Sequence, residues 1–187
     1  MNNERKWILR GGRVLNPAPF CLIGIVNVTP DSFSDGGKYI DPCNAVAHGL
    51  RLLDEGAGML DLGAESTRPF AEPVPEGEEI ARLMPVVARL REQRPDAVLS
   101  VDTLKAGTAR AALEGGADII NDVSACVADP ALLDVLAEYK PGYVLMHSQG
   151  SPREMQVNPR YGNVVEEILA FFEEHLARLV KAGLPED

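Results

Sequence analysis

With 187 residues, 45% of them hydrophobic and 25% charged, the chain has the makeup of one ordinary globular domain rather than of a disordered segment or a membrane-spanning bundle. Its 18 basic and 28 acidic residues give a formal charge of −10, which excludes a diffuse cationic surface for nucleic acid or anionic lipid and requires any anionic ligand to be held locally. Cys21, Cys43 and Cys126 are far apart and odd in number, with no Cys-x-x-Cys pair or Cys/His cluster. That excludes a zinc site and points to a reduced cytoplasm.

Residues 1–20 form a lead-in without the apolar core of an export signal. The first strand is expected over Cys21 to Val28, a near-continuous apolar run of the kind buried on both faces of a parallel sheet. After the loop NVTPDSFSDGGKYIDP, Asp41 serves as N-cap and Pro42 opens a helix with Val46, Leu50 and Leu53 on one stripe, which Gly56 stops. A second strand, Met59 to Gly63, leads through ESTRPFAEPVPEGEE to a helix with Ile80, Leu83, Val87 and Leu90 on one face. Pro85 lies within that pattern and is expected to kink or split it.

Val98 to Asp102 is the third strand, followed by a helix from Lys105 to the Gly115-Gly116 stop. Ile119 to Val123 is the fourth, and the helix after it starts at Asp129-Pro130 with Leu132, Leu133 and Leu136 inward. The fifth strand is Tyr143 to Met146. The last helix carries Val165, Ile168, Leu169, Phe172, Leu176, Leu179 and Val180 at helical spacing, an aliphatic stripe expected to be core, and Gly183 ends it.

Strict β-α alternation argues a parallel sheet with right-handed crossovers, in either a doubly wound sheet or a barrel. Polar residues follow every strand: Asn27-Val28-Thr29, Glu65 to Arg68, Asp102-Thr103, Asn121-Asp122 and His147 to Gln149. A doubly wound sheet gathers ligand contacts at one switch point, whereas a barrel converges all strand ends on one mouth, so the α/β class expected is a (β/α)8 TIM barrel. Such a barrel takes roughly 250 residues. The 187 residues read as a single domain of about five β/α units, with the chain ending where a sixth strand would begin.

Taken singly, the polar residues have two readings each. Asn27 can offer a neutral amide oxygen to Mg2+ or satisfy loop backbone groups. Arg68, beside Ser66 and Thr67, suits a phosphate or a structural salt bridge. Asp102 and Asn121 can together read the edge of a flat heterocycle, or each can cap the helix that follows. Phe33, a large apolar side chain in a polar, glycine-rich loop, marks that loop as a mobile lid rather than a plain turn. His147 is given no catalytic role, and His48 and His175 fall within helical patterns.

In unbroken order, GIVNVTPDSFSDGG, DLGAESTRP, SVDTLKAG, GADIINDVS and LMHSQGSPREMQ resemble the successive motifs of dihydropteroate synthases. The resemblance spans roughly residues 20 to 160 and implies a transferase of folate biosynthesis. Its substrates would be 6-hydroxymethyl-7,8-dihydropterin pyrophosphate and 4-aminobenzoate, and its products dihydropteroate and pyrophosphate. By motif, Asn27 would bind Mg2+, Thr67 and Arg68 would contact the phosphates, and Asp102 and Asn121 would grip the pterin, with Met146 packed against the ring. Phe33, Ser34 and Pro69 would line the aminobenzoate pocket, where sulfonamides sit in relatives. Asp35 would face the cationic carbon, which makes Asp35 and Arg68 the catalytic pair.

Three positions depart from the family pattern: Ala64 and Phe70 where glycines are usual, and Ser148 where a methionine is common. Phe70 is expected to alter closure of the second loop and thereby affinity for aminobenzoate or sulfonamides. The family's later motifs, with further pterin and phosphate contacts, do not occur in these residues, so the 187-residue chain is expected to be inactive by itself and to self-associate through an open barrel edge. Two rivals are a methyltetrahydrofolate-corrinoid methyltransferase, against which the TPDSFSDGG loop argues, and a non-catalytic fragment.

Overall fold

The computed structural model describes residues 6–29, 41–65, 73–150, 155 and 158–185. The lead-in holds a small antiparallel hairpin of β1 (Trp7–Ile8) and β2 (Val14–Leu15), an element its short apolar stretches do not announce. Leu9 and Leu15 bury themselves against Met59, Val98 and Ile119, the first residues of three later strands, so the hairpin plugs the lower end of the main sheet. Arg13 fastens it, donating to the Ala97 carbonyl at 3.0 Å and pairing with Asp118 at 3.2 Å.

The main sheet comprises β3 (Ile23–Asn27), β4 (Met59–Gly63), β5 (Val98–Asp102), β6 (Ile119–Asp122) and β7 (Gly142–Leu145), all parallel and in sequence order. A doubly wound sheet would reverse its order at a switch point; this one never does, which is the connectivity of a (β/α)8 barrel wall. β4 and β5 match the expected bounds, and β6 ends one residue before the expected Val123. At the flanks, Cys21, Leu22 and Val28 fall outside β3, and β7 begins at Gly142 and ends before Met146.

Five helices cover the outer face: α1 (Pro42–Asp54), α2 (Glu76–Gln93), α3 (Ala106–Glu114), α4 (Leu132–Tyr139) and α5 (Val164–Ala182). The Asp41 carboxylate accepts from Cys43 N at 2.8 Å and caps α1 as its sequence requires. Close approach of α1 to β3 explains Gly24, where a Cβ would stand 2.8 Å from Leu60 and 3.0 Å from Leu52.

Two expectations fail. Pro85 does not split α2, which runs unbroken through it, because both Pro85 and Ala81 lie on the exposed face, where water can satisfy the carbonyl that loses its amide partner. The aliphatic stripe of α5 is not core: Leu179 is its only buried residue, whereas Val165, Leu169 and Leu176 are each more than half exposed. Periodicity reports amphipathicity and not the presence of a partner surface. Gly183 does end α5, in the left-handed conformation at φ 105°. No helix of the described residues is long and apolar enough to cross a membrane.

Candidate functional site

In-register pairing carries Asn27 opposite Gly63, Gly63 opposite Asp102 and Asp102 opposite Asn121. Since side chains alternate along a strand, these four positions form one row on the inner face, at the carboxyl ends of β3 to β6. Val144 continues the row on β7, and half-buried Met146 directly follows that strand. Gly63 contributes no side chain, which leaves space between Asn27 and Asp102. One step down the strands a second row runs Ile25, Asp61, Ser100 and Ile119. There the Asp61 carboxylate accepts from Ser100 Oγ at 2.6 Å and from Asn121 Nδ2 at 3.0 Å, tying three strands together by side chains.

Asp102 is not a helix cap. Thr103 Oγ1 accepts from Lys105 N at 3.2 Å, Asp129 from Ala106 N at 2.8 Å and Glu76 from Gly107 N at 2.8 Å, so the first amides of α3 already have acceptors. Burial pushes the Asp102 carboxyl up to about 7, helped by the carboxylates of Asp61, Glu79, Asp122 and Glu65. Lys105 answers part of that negative charge by pairing with Glu65 and, at 2.7 Å, with Glu79. Burial pulls the Lys105 ammonium down, but hydrogen bonds to Glu65 and Glu79 outweigh it and hold the group above its ordinary value. Glu79 is fully buried in the first turn of α2 and also accepts from Thr108 Oγ1 at 3.1 Å, while its Oε1 has no partner.

Asn121 and its neighbour Asp122 part company. Asp122 lies on the outer face, where it accepts from Ser124 N and Oγ at 2.7 Å each, Cys126 N at 2.6 Å and Tyr143 OH at 2.9 Å. It is a staple for a turn in which Ala125 and Cys126 both have positive φ. Burial, Asp122 and Cys126 drive the Tyr143 phenol well above its ordinary value, and burial pushes the Cys126 thiol up to about 11, so neither is a nucleophile or base near neutral pH.

Of the residues singled out from sequence, the fold brings together Asn27, Asp102 and Asn121, with Met146 adjacent. Phe33, Ser34 and Asp35, and likewise Thr67, Arg68, Pro69 and Phe70, lie outside the described residues. His147 packs edge-on to Phe171 at 4.8 Å between centroids, as befits a structural ring. Sequence reasoning missed Asp61, Ser100 and Glu79. The signal was present as charged or polar residues interrupting apolar patterns, in MLDLG, in VLSVD and beside Ile80.

A separate cavity of about 730 Å³ lies on the outer side of β7, lined by Trp7, Tyr143, Leu145, Leu176 and Val180 among others. It is mostly apolar and shares no residue with the row of strand ends, so the chemistry is assigned to the row. Among the described residues no group of three or more His, Cys, Asp or Glu side chains could hold a metal ion. Asn27, exposed at the end of β3, supplies a single neutral oxygen, a donor compatible with Mg2+ that keeps most of its waters and takes phosphate oxygens.

The sequence profile of a family described as pterin binding enzyme matches residues 23–187. A dihydropteroate synthase of Mycobacterium leprae is 45% identical over 168 residues, covering 89% of this chain and 58% of that protein. The crystal structure of the Yersinia pestis dihydropteroate synthase in complex with a sulfonamide drug superposes with a TM-score of 0.87 at 41% identity, over 97% of this chain and 65% of that one. The Xanthomonas albilineans dihydropteroate synthase in complex with 7,8-dihydropteroate gives a TM-score of 0.79 at 42% identity, over 95% and 62% of the two chains. The chain thus spans about three fifths of the length of the relatives it matches.

Proposed function

The chain belongs to the family of pterin binding enzymes, and from that premise we propose that it is the pterin-binding portion of a dihydropteroate synthase, acting on a dihydropterin pyrophosphate and 4-aminobenzoate. One observation supports this most strongly: three side chains that the motifs assign to substrate or metal, Asn27, Asp102 and Asn121, stand in a single register row on the inner face. A relative of the same fold holds 7,8-dihydropteroate, the product of that condensation.

The chemistry follows from charge. Carbon-oxygen cleavage leaves positive charge on the pterin methylene and additional negative charge on the departing pyrophosphate, after which the amine of aminobenzoate attacks the methylene carbon. Asp102 and Asn121 fix the ring by hydrogen bonds and hold its methylene in place for attack. Carboxylates clustered around the row favour a cationic pterin over a neutral one, and the ring delocalises the charge, so no strong general base is needed. Mg2+ held by Asn27 would supply electrostatic stabilisation to the pyrophosphate. Within this reading Thr67 and Arg68 contact phosphates, Phe33, Ser34 and Pro69 receive the aminobenzoate, and Asp35 faces the cationic carbon.

Cytoplasmic residence belongs to the same reading and draws on three free cysteines. Self-association also belongs to it, because the large apolar side chains of Ile23, Ile25, Leu169 and Leu176 are each more than half exposed. Sedimentation showing a stable monomer with no affinity for hydrophobic dyes would remove that part.

Turnover with radiolabelled aminobenzoate tests the activity. The chain extended to the length of its relatives is expected to form dihydropteroate, and the 187 residues by themselves to form none at an appreciable rate. Absence of product from the extended protein would overturn the synthase reading, and native-like rates from the 187 residues would overturn the division of labour.

A further inference from the structure

Among the described residues Asp61 is the one carboxylate of the inner face that bonds laterally to two other strands, and no motif assigns it a role. It lies one row beneath the strand ends, opposite Ser100, and reaches Asn121 diagonally across β5. A carboxylate offers acceptors only, and an amide's NH2 and carbonyl oxygen point in opposed directions. With Nδ2 held 3.0 Å from Asp61 Oδ2, the Asn121 oxygen must face away from Asp61. Among the described residues that oxygen has no donor, and neither does the carboxyl of Asp102 beside it in the row. Adjacent strands stand about 4.8 Å apart, within the span of one ring edge.

We infer that Asp61 is a positioning residue that locks the Asn121 amide with its oxygen toward the mouth, so that the Asn121 oxygen and the Asp102 carboxylate offer two acceptors that select a heterocycle with adjacent N–H donors. This deepens the pterin reading and rests on it for the identity of the ligand. A 2-amino-4-oxo pterin has such an edge, with its ring N–H beside the exocyclic amine. The 2,4-dioxo analogue lumazine puts a carbonyl in place of that amine and meets the acceptors with a third acceptor. If Asn121 were free to rotate, its NH2 could turn outward and donate to that carbonyl, and the discrimination would fade.

The variants Asp61→Asn and Asp61→Ala separate positioning from bulk structure. Asn retains an oxygen that can accept from Asn121 and an NH2 that can bond Ser100, so it preserves the lock, whereas Ala removes it. Two measurements apply on the full chain, with circular dichroism confirming the fold of each variant. The first is the side-chain NH2 resonance pair of Asn121 in the unliganded protein. One strongly protected proton is expected in wild type and in Asp61→Asn, and none in Asp61→Ala. The second is calorimetry with pterin and lumazine. Wild type and Asp61→Asn are expected to prefer pterin by roughly 100-fold, and Asp61→Ala by no more than about threefold, since the preference comes from one unpaired polar group. A folded Asp61→Ala that keeps either the protected proton or the full preference overturns the inference, as does loss of both in Asp61→Asn. If no form binds either compound while the NMR pattern holds, the pterin reading fails and the positioning role of Asp61 stands.

Discussion

On its outer face the sheet presents Leu60, Leu62, Leu99, Val101 and Ile120, all fully buried beneath the helices; on its inner face the same strands present Ile25, Asp61, Ser100, Asp102 and Asn121. Each strand supplies both sets by simple alternation, so one residue of displacement separates a core position from a ligand-reading one. The consecutive pair Asn121 and Asp122 shows it best. Asn121 leaves an oxygen open to the mouth, whereas Asp122 spends its carboxylate on Ser124, Cys126 and Tyr143 on the other side. The outer face is thus where stability resides, and the inner face is where binding does.

The sharpest way to break that division is to truncate one aliphatic residue on each face. Leu60→Ala should cost about 2–5 kcal/mol in chemical denaturation, because a fully buried side chain leaves a cavity. Ile25→Ala, at a side chain 62% exposed, should change stability by less than about 0.5 kcal/mol. Equal losses would mean that the inner face is covered in solution. The polar pair tests the same point. Asp122→Ala leaves two backbone amides and a phenol without their acceptor and should cost about 3 kcal/mol, while Asn121→Ala should cost about 1 kcal/mol and yet remove most pterin affinity in calorimetry.

A pH series sharpens the comparison further. The unfolded chain releases the Asp102 proton near the ordinary value of 3.8, whereas the folded chain holds it up to about 7. Stability from this group is therefore complete below pH 4 and lost as pH rises toward 7. Asp102→Asn should raise the melting temperature relative to wild type by on the order of 3 °C at pH 8 and by little at pH 4. Because the carboxylate is the stronger acceptor, wild-type pterin affinity should fall as pH drops from 8 to 6, and in Asp102→Asn it should be weak and flat. The smallest effect belongs to the exposed ion pair of Arg51 and Glu55 at 3.7 Å, whose removal by Glu55→Gln should shift stability by no more than about 0.5 kcal/mol.

Much of the outer face is legible in the sequence. Apolar runs bounded by Gly and Asx residues place the three middle strands, and Asp41-Pro42 and Gly183 place helix ends to the residue. What escapes depends on three-dimensional partners. Whether α5 buries its stripe is decided by what lies against it, and Pro85 is harmless because its face of α2 meets water. The hairpin of β1 and β2 is too short to have a period of its own and exists because three strand beginnings need a cover. At the site, the strand-end positions of Asn27, Asp102 and Asn121 follow from the β-α pattern. The role of Asp61 does not, since nothing along the chain states that a residue of β4 meets one of β6 across β5.

The most direct test of the central claim is a chemical-shift map of the 15N-labelled chain titrated with 6-hydroxymethylpterin. The account predicts that the largest perturbations cluster at Asn27, Gly63, Asp102, Asn121 and Met146, with the cavity around Trp7, Leu176 and Val180 unmoved. Perturbations confined to that cavity, or scattered over the helices with the row of strand ends silent, would contradict it.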